Sequence, residues 1–195
     1  PGAWLLLCAA AAWHVVGAGR RWLRPPEVLF FPDPTGRHVT RLCMEIARAR
    51  RRVWLAMFTL TDNDLSGALL HAHARGLDVR VLVDDEQCEV RGSDAQRLAD
   101  AGVPVATDKS WARMHHKFLV LDSTVYSGSF NWTRQASQAN CENLCILRDS
   151  GLVKAFTREF ARLWQEHGRG DRLPAAPKKG LVLSRHRTPP SRGGG

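Results

Sequence analysis

Two hydrophobic rhythms alternate along this chain. Short apolar runs of strand length are separated by stretches whose apolar residues recur three and four positions apart. Residues 27–31 form such a run, stopped by Pro32, and predict a strand. Residues 38–51 place Val39, Leu42, Cys43, Ile46 and Ala47 at helical spacing. Residues 53–58 predict a buried strand, after which Thr61 or Asp62 caps a helix that runs to Arg75 and ends at Gly76. A strand follows at 79–83, then a helix at 93–101 closed by Gly102, and residues 103–105 lead into another strand. Residues 117–121 and 124–127 predict two strands joined by a tight turn at Asp122-Ser123. A further strand is expected at 143–147, and 151–166 predicts an amphipathic helix carrying Leu152, Phe156, Phe160, Leu163 and Trp164. Strands alternating with helices in this way predict an α/β domain, a mixed sheet flanked by helices.

Both ends break the rhythm. Residues 1–19 are apolar apart from His14, long enough as a helix to cross a bilayer core of ~30 Å. Arg20, Arg21, Trp22 and Arg24 follow, and a basic, aromatic flank belongs at the cytosolic interface of a membrane helix. A cleaved secretory signal shares the apolar run, but a non-basic stretch normally follows its cleavage site, where this chain has arginines. Residues 1–24 are therefore expected to be a single-pass transmembrane anchor with its basic flank. Residues 25–167 are expected to be the folded domain, facing the cytosol. Residues 168–195, rich in Pro, Gly and Arg, are expected to be a disordered basic tail.

Composition refines this picture. The 195 residues are 44% hydrophobic and 24% charged, enough for one core of ordinary domain size. The net charge of +9 would indicate a polyanion partner if the domain carried it. Residues 1–24 hold three basic residues and no acid, residues 168–195 hold seven and one, and residues 25–167 hold eighteen of each. A uniformly basic domain surface is thereby excluded, so a site for a phosphate-bearing substrate must be a local constellation. Five cysteines without paired spacing argue for a reducing compartment rather than a disulfide scaffold. Cys141 and Cys145 lack a second ligand pair at zinc-like spacing.

The candidate chemistry lies between residues 114 and 133. Met114-His115-His116-Lys117 is followed by Asp122 and then by Gly128-Ser129-Phe130-Asn131-Trp132-Thr133. If 115–121 is extended, His115 and Lys117 share one face and His116 takes the other. Ser129 and Asn131, two apart after the turn, also share a face. A histidine offers a nucleophile or acid–base group, a lysine a fixed positive charge, and Ser and Asn neutral donors. Gly128 lets the backbone come close to a ligand. A phosphodiester requires such a set: a group to attack phosphorus, and donors for the charge developing on its oxygens. Asp122 falls on the opposite parity from His115, which favours a turn or ion-pair role. Asn131-Trp132-Thr133 is also a glycosylation sequon, and a site role for Asn131 would place the domain outside a glycosylating lumen. The seven tryptophans lack the regular interleaving of a single-strand binding platform.

These residues resemble the signature of the phospholipase D superfamily, H-x-K-x4-D followed by G-S-x-N. The resemblance covers most of residues 25–167 and is strongest to the superfamily's mitochondrial, Zucchini-type branch. His115, Lys117, Asp122, Gly128, Ser129 and Asn131 carry it, supported by the 29–32 run, Met114-His115-His116-Lys117 and Glu142-Asn143. It implies a phospholipase D-type sheet with one such motif per chain. His115, Lys117 and Asp122 would be catalytic, Ser129 and Asn131 supporting, and Glu142 the carboxylate that hydrogen-bonds the histidine ring. Lys109, Arg113 and Arg134 stand near the motif as candidate substrate-binding residues. Single-copy members work as homodimers, one histidine forming a phosphohistidine and the other protonating the leaving oxygen and then activating water. The scheme requires no metal or other cofactor. The resemblance further implies action at the mitochondrial outer membrane, on the anionic phospholipid cardiolipin, on single-stranded RNA in piRNA production, or on both.

Two departures from the family pattern matter. Five residues separate Asp122 from Gly128, where the family has six, and one residue lost within a strand turns every later side chain to the other face. The hairpin turn is expected to absorb the loss; otherwise the protein would be a catalytically impaired, membrane-tethered scaffold. The relatives also carry a Cys/His-rich, zinc-finger-like insert before the first domain helix. This chain has only residues 33–38 there, so no metal is carried over.

Overall fold

The structure, a computed structural model, describes residues 26–168. The anchor expected at 1–24 and all but the first residue of the expected tail lie outside them. Among the described residues no helix is long and apolar enough to cross a membrane. In chain order the elements are β1 (Glu27–Phe31), α1 (Arg37–Ala47), β2 (Arg52–Met57), α2 (Asn63–Ala74), β3 (Asp78–Val83), α3 (Asp85–Cys88), α4 (Ala95–Asp100), β4 (Val105–Thr107), β5 (Lys117–Leu121), β6 (Thr124–Gly128), α5 (Arg134–Gln138), β7 (Glu142–Leu147) and α6 (Ser150–His167).

Alternation within the strands builds the layers. The seven strands form one mixed sheet in the order β1-β7-β6-β5-β2-β3-β4. The pairs β2–β3 and β3–β4 are parallel, and the rest are antiparallel. Val53, Leu55 and Met57 of β2 and Leu119 and Leu121 of β5 enter one apolar cluster, with Leu42 and Ile46 of α1, Leu65 and Leu69 of α2, and Leu98 of α4. The intervening Ala56, Phe118 and Val120 enter a second cluster with Val153, Phe160 and Leu163 of α6. The sheet is thus covered on both faces, as the strand–helix alternation predicts.

Side-chain caps set several boundaries. Asp62 caps α2, accepting from the backbone N–H of Asp64 at 3.1 Å and of Leu65 at 3.0 Å. Asp149 caps α6 through the N–H of Leu152 at 2.9 Å. The helix expected over 38–51 stops at Ala47, because the N–H groups of Arg50, Arg51 and Arg52 turn to the carboxylate of Asp122 instead of continuing the helical ladder. The short helices α3 and α5 carry too few residues to display a hydrophobic period. Asp84 caps α3 through the N–H of Gln87 at 3.2 Å, and Thr133 caps α5 through that of Ala136 at 3.0 Å.

Candidate active site

Strand register gathers the chemistry at one end of the sheet. Met57, at the end of β2, pairs with Val83 on one side and with Lys117, the first residue of β5, on the other. Gly128, the last residue of β6, pairs with Leu144 near the start of β7. The C-terminal ends of the parallel strands therefore meet the start of β5 and the end of β6. In open sheets, ligands bind outside such strand ends.

His115 and Lys117 meet there. The Lys117 ammonium lies 3.4 Å from each ring nitrogen of His115 and donates to the His115 carbonyl at 3.1 Å. Phe58, one residue past β2, packs its ring against that of His115 with centroids 4.5 Å apart. The Lys117 Nζ sits 4.8 Å, and the Arg113 guanidinium 5.7 Å, from the centroid of the same ring. Burial lowers the pKa of His115, and the charges of Lys117 and Arg113 lower it further, against an opposing pull from Asp84. Burial also lowers the pKa of Lys117, partly offset by Glu142. The imidazole is thus biased toward its neutral, nucleophilic form.

The return strand arrives with Asn131 close by. The Asn131 Oδ1 accepts from the Thr59 N–H at 3.3 Å, so Asn131 and Lys117 are both tied to the segment that leaves β2. The β5–β6 turn is tight: Leu121 pairs with Thr124 across Asp122-Ser123, and Asp122 takes a left-handed backbone with φ 49°. Ser129 is turned to β7, its Oγ accepting from the Asn143 N–H at 3.1 Å and its own N–H donating to the Asn143 carbonyl at 3.1 Å. It fastens the strand that carries Asn131. Gly128 is required by packing, since a Cβ there would lie 2.0 Å from the Asn143 carbonyl oxygen. Trp132 is buried, and Thr133 spends its hydroxyl capping α5.

Asp122, grouped with His115 and Lys117 by the motif, lies elsewhere. It follows β5 at the end opposite the pair, and its carboxylate accepts from the N–H groups of Arg50, Arg51 and Arg52 at 2.8, 2.9 and 3.0 Å. Its parity already favoured such a turn role, and the structure makes it the clamp between the β5–β6 turn and the α1–β2 loop. Glu142 accepts from Asn140 Nδ2 at 3.2 Å and acts on the site through its attraction for Lys117. Among the described residues no hydrogen bond joins it to His115.

Arg113 is exposed, 3.5 Å from Glu86, and lines an open cleft of about 410 Å3 with Ser110, His115, His116 and Glu166. Lys109 is exposed on the same loop, with φ 43°. Arg134 begins α5 and bonds Gln138 at 3.1 Å; it does not line that cleft. Asp84, Asp85 and Asp108 bring carboxylate oxygens within 4.8 Å of one another. Asp108 is engaged by the N–H groups of Asp85 and Met114, and Asp84 caps α3. The residue type that sequence reasoning missed is Phe58. It reads as the last position of a core strand, and only the pairing of β2 with β5 brings it beside His115.

A His–Lys pair at the end of a mixed sheet, with an amide side chain held on the adjoining Thr59 N–H, has the chemistry of a phosphoryl-transfer protein. Comparison with known proteins agrees. Residues 42–164 match the family described as cardiolipin synthase, PLD-like domain. The chain is 41% identical over 162 residues to mitochondrial cardiolipin hydrolase of Xenopus tropicalis, covering 72% of this chain and 77% of that protein. It is 39% identical over 161 residues to that of Chlamydomonas reinhardtii, covering 71% and 72%. Among solved structures, Nuc from Salmonella typhimurium, a phospholipase D family member, superposes with a TM-score of 0.65 at 28% identity, covering 73% of this chain and 97% of its own. The chain belongs to the phospholipase D superfamily, and it is a phosphodiesterase of that class.

Proposed function

We propose that the protein hydrolyses phosphodiesters through a phosphohistidine on His115, acting as a homodimer. The observation that carries this is the contact between His115 and Lys117, with the histidine biased toward its neutral form. A ring nitrogen of His115 attacks phosphorus, the N–P bond forms, and the bond to the leaving oxygen breaks. The partner's His115 gives that oxygen its proton, then takes one from a water molecule. The resulting hydroxide attacks phosphorus and releases His115. Lys117 and Asn131 hold the phosphoryl oxygens while charge develops. A single motif per chain supports the two-fold assembly, since in-line displacement needs groups on both sides of phosphorus.

The names of the relatives support cardiolipin as substrate and mitochondria as the location. The apolar residues 1–19 and the arginines behind them support attachment to the outer membrane with the domain toward the cytosol. Single-stranded RNA offers the same reacting bond, and Arg113 and Lys109 beside the cleft support that second reading. Purified protein should be assayed on cardiolipin vesicles and on single-stranded RNA, with His115→Asn beside each. Turnover of either, abolished in the variant and accompanied by phosphate trapped on His115, is the expected result. Turnover with no phosphoenzyme, or phosphate on His116, refutes the mechanism.

A further inference from the structure

We infer that Phe58 is the positioning residue of this site, an aromatic shelf that fixes His115 and Lys117 relative to one another. The inference rests on the assignment of His115 and Lys117 above and adds a residue which the motif does not contain. Phe58 is no ordinary core aromatic. Its neighbours Met57 and Leu60 are buried and belong to the main apolar cluster, whereas Phe58 is half-buried and belongs to neither cluster. What it touches is the site: the His115 ring at 4.5 Å, the Lys117 ammonium at 4.8 Å and the Arg113 guanidinium at 5.7 Å.

Its backbone is held as firmly as its ring is engaged. The Phe58 N–H donates to the His116 carbonyl at 2.9 Å, which extends the β2–β5 ladder one residue past Met57 and Lys117. The next residue, Thr59, donates its N–H to Asn131 and its hydroxyl to Gln87 at 2.9 Å. Residues 58 and 59 thus connect three of the five candidate catalytic and supporting groups at this end of the sheet, His115, Lys117 and Asn131.

The aromatic face matters chemically. Lys117 has a long flexible stem and no carboxylate within ion-pair distance among the described residues. The negative face of the ring attracts its ammonium and limits its excursions. The same ring shields one side of the imidazole from water. Burial and the nearby Lys117 and Arg113 charges all favour neutral His115. An aliphatic side chain at 58 would release both cations and admit water, and each change raises the His115 pKa. The rate then falls for want of geometry, and the acid limb of the pH profile moves upward.

The test uses the full chain and the soluble probe bis(4-nitrophenyl) phosphate, with NMR titration of the His115 ring in histidine-labelled protein. Phe58→Leu should lower kcat roughly 10- to 100-fold, as displaced catalytic groups do. It should also move the acid limb of kcat/KM and the His115 titration to higher pH. Phe58→Tyr and Phe58→Trp, which keep the face, should restore both. If Phe58→Leu fails to fold, Phe58→Met supplies similar volume without the ring. A limb and titration unmoved in the aliphatic variant, or no difference between aliphatic and aromatic variants, overturns the inference. A wild-type protein inactive on the probe, or a fully active His115→Asn, would instead sink the catalytic assignment, and the NMR titration would still decide what Phe58 does.

Discussion

Replacing Asp122 separates a structural clamp from a catalytic acid. Its carboxylate accepts three backbone N–H groups at 2.8, 2.9 and 3.0 Å. Hydrogen bonds to a charged group contribute about 1.5–3 kcal/mol each, but the losses do not simply add. The bonds from Arg50 and Arg51 are exposed, so water replaces much of what they lose, whereas the Arg52 bond is part-buried. Asp122→Ala should therefore cost about 3 kcal/mol from the clamp, and about 1 kcal/mol more for alanine at a left-handed position. Asparagine tolerates that backbone and keeps one acceptor, so Asp122→Asn should cost about half as much. In a domain of this size 3 kcal/mol lowers Tm by about 10 °C. Burial pushes the Asp122 carboxyl up, but the donors from Arg52, Arg50 and Arg51 and the Arg51 charge outweigh it and hold it below its ordinary value. A native pKa below the unfolded one means that the clamp contributes fully above about pH 4 and is lost as pH falls through the native value. The Tm gap between wild type and Asp122→Asn should accordingly be constant near neutrality and close in acid. Measured well below either midpoint, kcat should be unchanged in both variants. A large loss of kcat at unaltered Tm would refute this reasoning and return Asp122 to the chemistry.

Three further outcomes are expected. Gly128→Ala should lose about 3 kcal/mol or more, because the added Cβ would lie 2.0 Å from the Asn143 carbonyl oxygen; a Tm within a degree of wild type would show that β6 and β7 can separate freely. His116→Asn should keep near-wild-type kcat and lose under about 1 kcal/mol, since its exposed ring faces Glu159 at 3.6 Å and meets the edge of Phe118 with centroids 5.3 Å apart; loss of turnover comparable to His115→Asn would reverse the assignment of the two histidines. EDTA should leave hydrolysis unchanged, and a loss restored by zinc or magnesium would point instead to the carboxylates of Asp84, Asp85 and Asp108.

Much of the fold was legible because each strand pattern is local. The seven expected strands appear, and the Asp62 cap and the Gly76 stop of α2 fall where the residue types require. The α1 boundary was not legible, because Arg48 to Arg52 would continue a helix on propensity alone. What ends the helix is a carboxylate about seventy positions later in the chain. The helices α3 and α5, of four and five residues, were missed for lack of length. Within the site, the His115–Lys117 face followed from strand parity, but the shelf beneath it did not. Phe58 reaches that pair through antiparallel pairing of β2 with β5, and no period within 53–58 separates it from a core residue.

The shortened hairpin shows where spacing stops being evidence. Counted along the chain, one lost residue should invert Ser129 and Asn131 relative to His115. That inference holds only if the loss falls within the paired strands. Here Phe118 pairs with Ser127 and Leu121 with Thr124, an unbroken ladder closed by two residues; continued past the strands, that register sets Gly128 opposite Lys117 and Ser129 opposite His116, so Asn131 comes to Thr59 through the irregular segment after β6 and not through strand parity. The left-handed Asp122 makes so tight a turn possible, and the three N–H groups on its carboxylate stabilise it there. Asp122 thereby joins the β5–β6 turn to the α1–β2 loop at the end of the sheet opposite His115. The motif's aspartate is thus read from the motif as part of the site but spends its carboxylate on the fold, which is why its replacement should cost stability and not turnover.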